Sequence, residues 1–133
     1  MRNQIVVALA VAAVIILFLA FWLKPIGEGE YRDSPNGQWT AHVSALSRGT
    51  LLGSRQQYVE LSIERRADGV MVWRQELPYT STDKTPDYGD RSTRFITWAS
   101  DSTQFSVSTI NGAMMTVPIT VITSAQQVGA AKR

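Results

Sequence analysis

Residues 58–77, "YVELSIERRADGVMVWRQEL", decide the fold. Val59, Leu61 and Ile63 alternate with Glu60, Ser62 and Glu64, and a period of two marks a strand with one face buried and the other in water. "ADG" (67–69) breaks the run, and "VMVWRQEL" (70–77) returns with β-branched and aromatic side chains. Asp-Gly between two such runs is a strong local cue for a hairpin. The stretch predicts two antiparallel strands with Val59, Leu61 and Ile63 directed at a core.

Upstream, "QWTAHVSAL" (38–46) sets Trp39, Ala41, Val43 and Ala45 on one side and Thr40, His42 and Ser44 on the other, a second half-buried strand. "SRGTLLGSRQQ" (47–57) holds two glycines among polar residues and reads as a loop. Downstream, "PYTSTDKTPDYGDRS" (78–92) is a loop of about fifteen residues, a length often associated with function. "TRFITW" (93–98), "TQFSVSTI" (103–110) and "AMMTVPITVI" (113–122) read as further strands, with Asn111-Gly112 supplying a turn that favours positive φ. Pro118 has no N–H for a ladder, which places the last strand at a sheet edge or a bulge. No helical period follows residue 24. Residues 37–123 are thus expected to form a small all-β domain, an antiparallel sandwich or half-open barrel of about six strands. Residues 124–133 read as a flexible tail.

The N-terminus is different. "IVVALAVAAVIILFLAFWL" (5–23) contains no charge, and as a helix it extends roughly 28 Å, the thickness of a bilayer's hydrocarbon core. A cleaved signal peptide needs a shorter apolar stretch followed by small side chains, whereas this segment ends in Phe18, Leu19, Ala20, Phe21, Trp22 and Leu23. The reading is a retained signal anchor in contact with the lipid bilayer. Trp22 fits the interfacial aromatic belt, and Lys24-Pro25 mark the exit into water. Arg2 and the amino terminus favour residues 1–4 in the cytoplasm and the remainder outside, in the periplasm or cell exterior, as a single-pass protein of the inner (plasma) membrane. Residues 24–36, with Pro25, Gly27 and Gly29 among alternating charges, read as a linker and first turn.

Composition removes several function classes. The chain has 133 residues, a net charge of +2 and no cysteine. Its arginines are interspersed with carboxylates, so no basic track for nucleic acid emerges. Without cysteine there is no disulfide, thiolate metal site or thiol nucleophile. The missing disulfides in a small exported domain favour a bacterial envelope protein.

Two turns resemble each other. In "SPNGQW" (34–39), Pro35 presets φ, Asn36 tolerates the following turn position, and Gly37 relaxes the exit into the strand. In "WASDSTQF" (98–105), Asp101 and Ser102 occupy the same place. Ser34–Gln38 and Trp98–Thr103 resemble the Trp-Ser-Pro-Asp-Gly-Lys hairpin signature of TolB-type β-propeller repeats. That resemblance implies a turn joining neighbouring strands of a blade. Roughly 110 residues cannot supply the four blades of the smallest propellers. Either the turns are independent solutions to one hairpin problem, or the sheets are blade-like and bury themselves by other means.

Candidate chemistry is sparse. His42, the only histidine, falls on a polar strand face, with no Gly-x-Ser-x-Gly elbow to pair with. Asp83, Asp87 and Asp90 lack EF-hand spacing, and Glu60, Glu64 and Glu76 occupy outward strand positions. No Walker or zinc pattern occurs. These observations predict no catalytic residue, no metal and no cofactor. Trp39, Trp73, Trp98, Tyr58 and Phe95 are expected to fill the core. Tyr79, Asp87, Tyr88, Arg91 and Arg94, in and beside the 78–92 loop, form the candidate binding surface, since Tyr and Arg dominate interface hot spots. The expectation is a membrane-anchored module that binds a membrane or envelope protein. The alternatives are a small hydrolase with loop 78–92 as a wall of its active site, and a passive structural module.

Overall fold

The computed structural model describes residues 2–120. Helix α1 (Arg2–Leu23) leads into seven strands: β1 (Ile26–Asp33), β2 (Trp39–Gly49), β3 (Arg55–Arg65), β4 (Val70–Tyr79), β5 (Ile96–Trp98), β6 (Gln104–Ser108) and β7 (Met114–Pro118). They form two antiparallel meanders, β1-β2-β3-β4 and β5-β6-β7, and among the described residues neither closes into a barrel. The expected all-β architecture holds, as a sandwich of two sheets. Within α1, Gln4–Leu23 is long and apolar enough to cross a membrane, and none of its most apolar stretch is buried by the domain.

The deciding hairpin forms as its pattern requires, β3 pairing antiparallel with β4 through Val59↔Leu77, Leu61↔Gln75 and Ile63↔Trp73, and β2 adds to its other side. Ala41 pairs with Ile63, Val43 with Leu61 and Ala45 with Val59, and these residues share one face of the first sheet. Ile96, Phe105, Val107 and Val117 of the second sheet complete the core with Tyr88. Val43, Val59, Leu61, Ile63, Phe105 and Val107 are fully buried. Each such side chain contributes about 1.5–3 kcal/mol of transfer free energy, the main force holding the layers together. Between Ile63 and Glu64 the β3–β4 register slips by one residue, a bulge that increases the local twist.

Three sequence expectations change. The 24–36 linker contains β1, whose residues pair with β2 from Ile26↔Ser47 to Asp33↔Thr40. The edge of β2 leaves backbone donors and acceptors unpaired, and residues 26–33 satisfy them. The glycines that suggest a linker permit close pairing: a Cβ on Gly27 would collide with the Ala45 carbonyl. The 47–57 loop shortens to a tight turn, because the ladder continues through Ser47↔Gln57, Arg48↔Gln56 and Gly49↔Arg55. The last strand ends at Pro118, at the edge of the second sheet as its missing N–H demands. The expected end of that strand (121–122) and the 124–133 tail lie outside the described residues.

Tyr58 is fully buried, but on the face opposite Val59, in register with Leu46 and Pro78. The Arg48 guanidinium lies 4.7 Å from its ring centroid. Around it run the ion pairs Arg48–Glu76 (3.0 Å), Arg74–Glu76 (2.7 Å) and Arg74–Glu60 (2.6 Å). The aliphatic stem of an arginine can cover an aromatic ring while its charge stays paired. Burial pushes the Tyr58 phenol up, with Arg48 opposing.

Candidate functional site: a groove beside the edge of β1

Among the described residues, β1 has a strand neighbour on one side only. Along its other side runs a groove of about 700 Å³, walled by Glu28–Arg32 of β1 and by Tyr88–Arg91 and Thr93 of the long loop. A sheet edge carries backbone hydrogen-bonding groups without a ladder partner, which is why edges are usually covered or blunted.

The loop wall is built by its own short polar side chains. Asp83 accepts from the Thr80 N–H (2.8 Å), the Thr80 hydroxyl (2.9 Å) and the Asn111 side-chain amide (3.1 Å). Asn111 in turn accepts from the Lys84 N–H at 2.8 Å, joining the loop to the turn between β6 and β7. Asp90 accepts from the Ser92 hydroxyl (2.7 Å) and N–H (2.9 Å) and from the Thr93 hydroxyl (2.9 Å). These bonds favour the ionised forms and lower both carboxyl pKa values. The Thr80 N–H is the main cause for Asp83, and the Ser92 hydroxyl for Asp90. Tyr88 anchors the middle of the loop: its ring meets Phe95 edge-on at 5.2 Å and its hydroxyl donates to the Ser108 carbonyl at 2.7 Å. Burial pushes its phenol strongly up, so it stays neutral in ordinary buffers.

Two bonds fix the groove relative to β1. The Phe95 N–H donates to Glu30 Oε2 at 2.7 Å, and the Trp98 indole N–H donates to the Arg32 carbonyl at 3.0 Å. Glu30 also pairs with Arg32 at 2.7 Å. Glu28, Asp90 and Arg91 remain as the charged groups facing the groove.

The five candidate binding residues therefore separate. Tyr88 and Arg91 line the groove. Asp87 is exposed beside it, accepting from the Gly89 N–H at 3.1 Å. Tyr79 is half-buried against the core, and Arg94 is exposed away from the groove lining. Tyr88 is a buried support for the loop and offers little surface. The wall missed by the sequence reading is β1. Its alternation of Glu28, Glu30 and Arg32 with Gly29 and Tyr31 carries a period-two signal that two glycines obscure.

The other clusters do not assemble a reactive centre. Among the described residues, no group of three or more His, Cys, Asp or Glu is placed to hold a metal ion. His42 lies opposite Ser62 in register, but no side-chain hydrogen bond joins them. Its Nε2 is 3.9 Å from Glu64 Oε2, and Tyr31 packs on its ring at 6.1 Å.

The turns at 34–39 and 99–104 have the same geometry. Ser34 N–H donates to the Trp39 carbonyl (2.8 Å) and Gly37 N–H to the Ser34 carbonyl (2.9 Å). The counterparts are Ala99 to Gln104 (2.9 Å) and Ser102 to Ala99 (2.9 Å). Gly37 (φ 70°) and Ser102 (φ 61°) hold the same left-handed position. Asn36 Oδ1 accepts from the Gln38 N–H and Asp101 Oδ1 from the Thr103 N–H, both at 3.1 Å. The turns also touch, the Asn36 N–H donating to Ser102 Oγ at 3.0 Å. Comparison of the chain with family models, curated proteins and solved structures gives no match.

Proposed function

We propose that this protein is a single-pass, membrane-anchored binding module that captures an extended segment of a membrane or envelope protein along the open edge of β1. α1 holds the chain in the bilayer with the N-terminus in the cytoplasm and the β domain on the periplasmic or extracellular side. The observation that carries the reading is the groove itself, with a strand edge that has no ladder partner among the described residues as one wall and a charged loop as the other. A peptide adding to a sheet edge gains main-chain hydrogen bonds, and the side chains beside the edge select it. Glu28 and Arg91 supply opposite charges for that selection. The repeated turn supports a further element of the proposal, that the domain consists of two blade-like meanders packed face to face.

Site-specific photocrosslinking in intact membranes tests this. A photoreactive side chain at Arg91 or Thr93 is expected to capture a discrete polypeptide, and one at Arg74, on the outer face of the sheet, is not. Arg91→Glu should reduce capture from Thr93 several-fold. Equal capture from Arg74 and Thr93, or none from Arg91 and Thr93, would remove the groove as the binding site.

A further inference from the structure

The tip of the β2–β3 hairpin, Thr50–Ser54, carries two leucines that none of the described residues covers: Leu51 is 80% exposed and Leu52 95%. The tip is a defined turn. The Thr50 N–H donates to the Ser54 carbonyl at 2.8 Å, and the Gly53 N–H to the Thr50 carbonyl at 3.1 Å. The hydroxyls of Thr50 and Ser54 share a hydrogen bond of 2.8 Å. Polar groups at the tip are thus paired locally while two large apolar side chains project.

What faces the tip follows from its height. β1 begins at Ile26, opposite Ser47, so Arg48 to Leu52 overhang the start of the sheet toward α1. The Trp22 indole N–H donates to the Thr50 carbonyl at 3.1 Å. Gly49 is the seat for that ring, since any Cβ there would overlap the indole. The Arg55 guanidinium lies 5.3 Å from the Trp22 ring centroid. The hairpin tip is therefore level with the last turn of α1, next to the residue that marks where an apolar span meets water.

We infer that the β2–β3 hairpin tip is a second membrane contact, with Leu51 and Leu52 inserted at the headgroup–acyl boundary of the bilayer that α1 crosses. This rests on the reading of α1 as a membrane span. Arg55 and Lys24 place positive charge at headgroup level beside the leucines, the arrangement that favours an anionic lipid surface. With two attachments the domain cannot swivel freely about its helix, so the β1 groove keeps a fixed orientation to the membrane.

The chain lacks cysteine, so single-cysteine variants of the full chain take a fluorescent label at one chosen site. In reconstituted bilayers containing anionic lipid and a spin-labelled quencher lipid, three positions are compared: Leu17→Cys in α1, Leu52→Cys at the tip, and Met71→Cys, an exposed apolar position at the opposite end of the sheet. Leu52 has almost no internal contacts to lose. The expected result is quenching at Leu52 at least half as strong as at Leu17, with little at Met71, and a several-fold fall at Leu52 when Gly49→Val displaces Trp22. Quenching at Leu17 without quenching at Leu52 overturns the second contact while leaving the span intact. Absence of quenching at Leu17 overturns the span and the contact together. Equal quenching at Leu52 and Met71 also overturns the inference, because the whole domain would then lie against lipid.

Discussion

Two tryptophans tie the β domain at its two ends, and their surroundings differ. At the far end, Trp98 packs its ring 5.3 Å from Phe105 and donates its indole N–H to the Arg32 carbonyl. That bond joins the second sheet to the first. At the helix end, Trp22 stacks on Phe18 at 6.4 Å and donates to the Thr50 carbonyl. The chemistry of the bond is the same, but Trp98 works between two layers that fold together, and Trp22 between a domain and a helix that the domain does not need for its core. One tie should appear in the stability of the fold, the other in the orientation of the domain.

Breaking each tie separates these roles. Trp98→Ala removes a large ring from the sheet interface and is expected to lower the unfolding free energy of the β domain by about 3 kcal/mol. Trp22→Ala in the same measurement should cost less than about 0.5 kcal/mol, as substitutions outside the core do. Urea unfolding of the full chain in detergent micelles, followed by the β signal in circular dichroism, reads both. Similar losses for the two variants would mean that the helix end belongs to the cooperative core.

The far end also holds the paired turns, which sharpens the comparison at smaller magnitude. Ser102 adopts the left-handed conformation that glycine adopts at position 37, and its hydroxyl accepts the Asn36 N–H. Ser102→Ala keeps the unfavourable backbone and loses the acceptor, an expected cost of about 1–2 kcal/mol. Ser102→Gly loses the same bond but relieves the backbone, so it should be milder by about 1 kcal/mol. Thermal melts of the two variants test the order. A larger loss for Ser102→Gly would show that the turn is held by something other than its left-handed residue.

How far these features were legible depends on whether the information is local. The 58–77 hairpin could be read because alternation and Asp-Gly both lie within it, and the Asn111-Gly112 turn likewise takes positive φ at both residues. β1 could not be read in that way. Glu28, Gly29 and Glu30 have little preference for a strand, and what makes them one is the unpaired edge of β2. Tyr58 occupies a polar strand face by parity, and its cover comes from neighbouring strands, with Leu46 and Pro78 in register beside it and the Arg48 guanidinium over its ring. The candidate site was half legible for the same reason: Arg91 and Tyr88 stood out in the loop, while the opposing wall needed a pairing that the segment itself does not announce.

The smallest expected effect distinguishes the two turns by pH. Asp101 stands where Asn36 stands, and the Thr103 N–H and then its hydroxyl hold the Asp101 carboxyl below its ordinary value of 3.8. A carboxyl whose pKa is depressed by folding contributes stability that is complete above its unfolded pKa and is lost as pH falls through its folded one. The 99–104 turn should therefore weaken below about pH 4, where the unfolded carboxyl begins to take up protons. The 34–39 turn, with an amide in the same role, should not. Other carboxylates with depressed values, Asp68, Asp83 and Asp90, contribute to the same acid limb, so only a difference between variants isolates the turn. Asp101→Asn should make the fall in melting temperature between pH 5 and pH 3 shallower, and Asn36→Asp should make it steeper while leaving the value at pH 7 nearly unchanged. If the profile of Asp101→Asn superimposes on that of the parent chain, the carboxylate is not what distinguishes the two turns, and their shared geometry rests on the backbone alone.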